Sequence, residues 1–114
     1  LSTGAIGNNV SMALAKIEHP ENFAHYDFAF VKPLDEKELH HIFNQFETII
    51  TVEDGGVKGG FGSAVSEFAA IHNYKSKIQF LGIPDVFIEQ GSIDDLQQYC
   101  AISVDSLKNI LSSY

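Results

Sequence analysis

The sequence predicts an α/β fold, a three-layer α/β/α sandwich with a mostly parallel sheet of about four to five strands. Three observations carry that prediction. Short β-branched or aromatic runs alternate with stretches whose apolar residues recur at helical spacing. One run, Thr48 to Val52, is apolar or β-branched throughout, as suits a parallel strand covered by helices on both faces. Glycines stand at the junctions where a strand gives way to a helix, where they free the backbone to turn.

The elements follow in order. Leu1-Ser2-Thr3-Gly4 reads as the end of a strand entering a turn, with most of the strand expected before Leu1. Ile6, Val10, Ala13, Leu14 and Ile17 then fall on one face of a helix expected over Gly7 to Ile17. His19-Pro20-Glu21-Asn22 is loop chemistry. Tyr26 to Val31 reads as a second strand, stopped at Lys32-Pro33 because proline cannot continue the ladder. Asp35 with Glu38 resembles a capping box for a helix buried through Leu39, Ile42, Phe43 and Phe46. After the Thr48–Val52 strand comes the turn Glu53 to Gly60, then a helix with Phe61, Ala64, Val65, Phe68 and Ala69 on its inner face. Lys77 to Gly82 reads as a further strand. Ser92 with Asp95 would cap a short helix using Ile93, Leu96 and Cys100, and Ser103 a last one packed through Val104, Leu107 and Leu111. No internal repeat, low-complexity tract or linker interrupts residues 1–114, which are expected to form one domain.

Composition excludes several classes of function. The 114 residues carry 15 acidic and 7 basic side chains, a formal charge of -8, and every basic residue is lysine. A chain without arginine lacks the basic footprint that nucleic acid requires, and it cannot build a bidentate guanidinium clamp. Any anion site must use backbone amides or lysine. The lone Cys100 cannot form an internal disulfide, which suits a reducing cytoplasm. No apolar run is long enough to span a bilayer, so no membrane partner is expected.

The one place where this chain could engage an anion is the glycine-rich turn, with Gly59, Gly60 and Gly62 as candidate anion-binding or packing residues. Glycines let a chain approach a phosphate closely, and a helix N-terminus offers unpaired amides. The spacing departs from both phosphate fingerprints: Lys58 is followed by Gly59, not Ser or Thr, and Gly60-Phe61-Gly62 lacks the third glycine of the dinucleotide motif. Glu53 and Asp54 beside the turn would repel phosphate. Tight turning and close helix-to-sheet packing is the competing reading. The five histidines show no ligand spacing; His40 and His41 are adjacent and diverge by about 100° on a helix. Ser63 lies in Gly62-Ser63-Ala64, not a nucleophile elbow, and Asp85 and Glu89 read as turn and cap residues. No catalytic, cofactor-binding or metal-binding residue is assigned.

Four segments taken together resemble the C-terminal domain of 1-deoxy-D-xylulose-5-phosphate synthase. They are Phe30-Val31-Lys32-Pro33-Leu34-Asp35, Thr51-Val52-Glu53-Asp54-Gly55, Gly59-Gly60-Phe61-Gly62-Ser63-Ala64-Val65 and Leu81 to Gly91 with its Gly82-Ile83-Pro84-Asp85 core. The resemblance covers essentially the whole chain, in order. It implies a transketolase-like architecture and a thiamine-diphosphate enzyme, normally a cytoplasmic homodimer, that condenses pyruvate with glyceraldehyde 3-phosphate for isoprenoid precursor synthesis. In that family the preceding domains bind the cofactor and magnesium, and the C-terminal domain packs on them and extends the dimer contact. The resemblance therefore implies an inactive fragment of a transferase, with no cofactor of its own. Two other readings stay open: a free-standing module binding an anion or nucleotide at the turn, and the equivalent domain of transketolase or of a 2-oxo acid dehydrogenase β subunit.

Overall fold

The structure, a computed structural model, describes residues 1–29, 33–56, 60–83 and 102–114. Its elements are strand β1 (Ser2–Thr3), helix α1 (Gly7–Leu14), helix α2 (Glu36–Gln45), strand β2 (Thr48–Gly56), helix α3 (Phe61–Ile71), strand β3 (Lys77–Ile83) and helix α4 (Val104–Ser112). The strands form one parallel sheet in the order β1-β2-β3. Ser2 pairs with Val52, and Thr48 to Val52 pair in step with Lys77 to Leu81.

Alternation along β2 divides the molecule into layers. Ile50 and Val52 turn to one face, where Val52 and Leu81 join Ile6, Val10 and Ala13 of the α1 region, Ile102, and Leu107 and Leu111 of α4. Ile49 turns to the other, where Leu39, Ile42 and Phe43 of α2 meet Phe61, Val65, Phe68 and Ala69 of α3. Two apolar cores thus sandwich the sheet, the expected α/β/α arrangement. Leu39 and Val65 are fully buried, and truncating a leucine so placed costs about 2–5 kcal/mol.

Local chemistry fixes the helix ends. Asp35 accepts a 3.0 Å hydrogen bond from the Glu38 amide at the start of α2, with Glu36 and Glu38 in the first turn where the helix dipole favours them. The Ser103 hydroxyl oxygen accepts from the Ser106 amide at 3.2 Å to start α4. Helix α3 stops through a Schellman motif: Asn73 takes φ 61°, Asn73 N donates to Ala70 O, and Tyr74 N donates to Ala69 O at 2.9 Å. That reversal lays Tyr74 flat against Phe43, ring centroids 4.9 Å apart.

Some expectations are corrected. Helix α1 ends at Leu14, three residues before Ile17, because Lys16 N bonds Ala13 O and tightens the last turn; Ile17 still packs against the first core. Among the described residues of the expected Tyr26–Val31 strand, 26–29, only a single bridge forms, between Asp27 and Ser2. Ser2 N donates to Tyr26 O and Phe28 N to Ser2 O. Three strands, rather than four to five, are therefore present among the described residues. Strand β2 outruns Val52 and reaches Gly56, with an irregularity in register after Val52. Val31, the Ser92–Cys100 helix, Asp85, Glu89 and Gly59 lie outside the described residues. No described helix is long and apolar enough to cross a membrane.

Candidate functional site

The glycine-rich turn joins the C-terminal end of β2 to α3, where open α/β sheets commonly place ligands. Gly60 stands at the N-cap with extended backbone and has no side chain with which to cap. The cap comes instead from β2. Glu53 Oε2 accepts a 2.6 Å hydrogen bond from the Gly62 amide, and Glu53 is 3% exposed. Burial raises its pKa above the usual glutamate value, opposed by hydrogen bonds from the Gly62 and Phe61 amides and reinforced by the nearby Asp54 charge. An internal carboxylate thus takes the place at the α3 N-terminus that an exogenous anion would use.

Gly62 has a second task. A Cβ built there would lie 2.6 Å from Phe80 Cδ1 and 2.7 Å from Thr51 Oγ1, both shorter than real Cβ contacts. The missing side chain lets α3 approach β2 and β3 closely. The Thr51 hydroxyl beneath it is fully buried and has no hydrogen-bond partner among the described residues. The described residues here do not suit a diphosphate: the Gly62 amide is engaged, and Glu53 and Asp54 are acidic. Ser63 falls in the first turn of α3.

Two clusters escaped sequence reasoning. Ser2 Oγ lies 2.7 Å from His25 Nε2 and donates to Asp27 Oδ1 at 3.1 Å. The composition is that of a hydrolase triad, yet the geometry is not, because Asp27 meets the serine instead of orienting the imidazole. Ser2 is also fully buried. With its single proton given to Asp27, Ser2 accepts from His25 Nε2–H, and the cluster ties the 25–27 segment to β1. Burial holds the His25 pKa below its ordinary value, with Asp27 pulling it upward. On the α2/α3 face, His40 Nδ1 lies 2.6 Å from the Tyr74 hydroxyl, and the His40 and His72 rings meet edge to face at 4.4 Å. Sequence distance hides both clusters; only the folded sheet and the α3 reversal bring them together. His19 pairs with Glu21 at the surface. Among the described residues, no three of His, Cys, Asp and Glu converge as metal ligands.

Comparison with known proteins adds the family. The family model for the transketolase C-terminal domain matches residues 4–107. This chain belongs to the transketolase C-terminal domain family. Among relatives, it is 49% identical over 111 residues to 1-deoxy-D-xylulose-5-phosphate synthase of Porphyromonas gingivalis, covering 96% of this chain and 18% of that protein. It is 45% identical over 109 residues to the synthase of Bacteroides thetaiotaomicron, covering 94% of this chain and 17% of that protein. The chain therefore spans under a fifth of the length of these relatives. Among solved structures, a split-gene transketolase described as an inactive β4 tetramer superposes with a TM-score of 0.77 at 24% identity, covering 98% of this chain and 36% of that one. That likeness concerns the fold. Within this transketolase C-terminal domain, Gly62 is both a point of close approach to Thr51 and Phe80 and the donor of the hydrogen bond to Glu53 at the start of α3.

Proposed function

We propose that this chain, residues 1–114, serves as the non-catalytic C-terminal domain of a thiamine-diphosphate-dependent transferase. That enzyme condenses pyruvate with glyceraldehyde 3-phosphate to give 1-deoxy-D-xylulose 5-phosphate, an isoprenoid precursor. The observation that carries the proposal is the 49% identity to the Porphyromonas synthase, sustained over 96% of this chain. In this reading the preceding domains of the same cytoplasmic enzyme hold thiamine diphosphate and magnesium, and the cofactor supplies the carbanion chemistry there. The present residues pack on those domains and extend a homodimer contact. The closed state of the α3 N-terminus supports this role over that of a free-standing anion or nucleotide module, since Glu53 already engages the Gly62 amide.

A chimera tests the proposal. The corresponding C-terminal segment of the Porphyromonas synthase is replaced by this chain, and product formation from pyruvate and glyceraldehyde 3-phosphate is followed. The chimera should keep kcat within about tenfold of the parent, a barrier change of about 1.4 kcal/mol. A folded chimera that binds cofactor and forms no product would refute the proposal.

A further inference from the structure

Two histidines from different helices share one apolar floor. His40 comes from the middle of α2 and His72 from the C-cap of α3, and both rings rest on Phe68, with centroids 4.8 Å and 4.4 Å from it. Phe68 is buried, so the pair is supported from below. The two imidazoles lie 4.4 Å apart at an interplanar angle of 74°. His72 is exposed and His40 half-buried, so solvent reaches the pair from the His72 side.

The support extends beyond the pair. Tyr74 stacks on Phe43 with ring centroids 4.9 Å apart, which holds its hydroxyl 2.6 Å from His40 Nδ1. Asn44 Nδ2 donates to the same oxygen at 3.5 Å. One ring nitrogen of His40 is thus occupied, and Nε2 is the one left for a ligand. An ion bound at Nε2 fixes the imidazole proton on Nδ1, where the Tyr74 oxygen is in place to accept it. Metal-bound histidines are oriented in this way, by an oxygen acceptor on the second ring nitrogen.

We infer that His40 and His72 form a two-imidazole site for a divalent transition-metal ion of the zinc type, which ties α2 to the end of α3. Imidazole suits zinc, whereas magnesium takes carboxylate, carbonyl and water oxygens. Two nitrogens on one tetrahedral zinc stand about 3.3 Å apart, given bonds of about 2.0–2.1 Å. Rings with centroids 4.4 Å apart reach that spacing when the exposed His72 turns a nitrogen toward the ion on His40 Nε2. The turn exchanges the edge-to-face contact for two metal–nitrogen bonds. Water completes the coordination, since no third His, Cys, Asp or Glu converges there among the described residues. Tyr74 is the positioning residue. Sequence spacing conceals the site because its two ligands stand on separate helices.

Zinc titrated into the 114-residue chain, with the carbon-bound imidazole protons followed by NMR, tests the site. The His40 and His72 resonances should shift together and saturate at one ion per chain, and magnesium should leave them in place. His72→Gln changes an exposed side chain and should weaken zinc binding at least about tenfold, because a chelate becomes a single ligand. His41→Gln, on the same helix, should leave the affinity unchanged. Tyr74→Phe keeps the stack on Phe43, removes the oxygen, and should weaken binding about ten- to a hundredfold; a lowered urea midpoint with unchanged zinc affinity would remove its positioning role. Unchanged affinity in His72→Gln would overturn the inference. So would separate saturation of His40 and His72, or shifts centred on His19 beside Glu21.

Discussion

Glu53 Oε2 and the Gly62 amide nitrogen lie 2.6 Å apart, joined by a buried hydrogen bond from the helix to the strand that precedes it. The two lie nine positions apart in sequence. The strand end thus supplies the acceptor that the glycine N-cap cannot. The same bond withdraws from solvent an amide that would otherwise be free to meet a phosphate.

The buried carboxylate makes stability depend on pH. The folded pKa of Glu53 is raised, chiefly by burial, so the folded state binds more protons than the unfolded state between the ordinary glutamate pKa and the raised one. Stability from this group is present below that window and is lost as pH rises through it. Urea midpoints of the wild type and Glu53→Gln, measured from about pH 4 to 7, should show the wild type losing ground to the variant as pH rises. A difference that is flat, or grows in the opposite direction, would contradict the assignment.

Adding one methyl at Gly62 should be costly. The new Cβ would press on Thr51 and Phe80, and overpacking of this kind costs about 1–3 kcal/mol. Gly62→Ala should therefore lower the denaturation midpoint. Phe80 is 38% exposed and can give way, so Phe80→Leu should return part of the loss in the double variant. An unchanged midpoint in Gly62→Ala would remove the close-packing role.

The Thr51 hydroxyl is buried and without a hydrogen-bond partner among the described residues. Replacing it by a methyl of the same shape removes an unmet desolvation cost, so Thr51→Val should be neutral or more stable by about 1 kcal/mol. Calorimetric melting measures this directly. A loss of stability would show that the hydroxyl is bonded in solution.

At the start of α2, Asp35→Ala removes the acceptor for the Glu38 amide and should cost about 1 kcal/mol. Asp35→Asn, which keeps an acceptor oxygen, should retain most of the stability. Equal losses in the two variants would show that charge, not the hydrogen bond, sustains the cap.

What the sequence revealed is what local chemistry decides. Asp35 and Glu38 stand three residues apart, so their cap is written in a few adjacent positions, and the apolar run from Thr48 to Val52 marks a strand buried on both faces wherever it occurs. The two-sided core was legible for the same reason. The Tyr26–Val31 segment was harder: its composition favours a strand, but among its described residues only Asp27 forms a bridge, to Ser2. The internal cap was hidden altogether. Glu53 beside a glycine turn reads as a charge that repels anions; that it serves as the anion follows only when the end of β2 and the start of α3 are placed together. The close approach at Gly62 likewise involves Phe80, eighteen residues away on the neighbouring strand.

The central claim is that the α3 N-terminus is closed by the chain's own carboxylate and serves packing rather than ligand binding. Amide chemical shifts of Gly60 to Ser63, followed while inorganic phosphate and then magnesium thiamine diphosphate are titrated into the 114-residue chain, test it most directly. The account predicts that these amides do not move in a saturable way with either ligand. Saturable shifts centred on Gly62, abolished by raising the concentration of a competing phosphate ester, would contradict it.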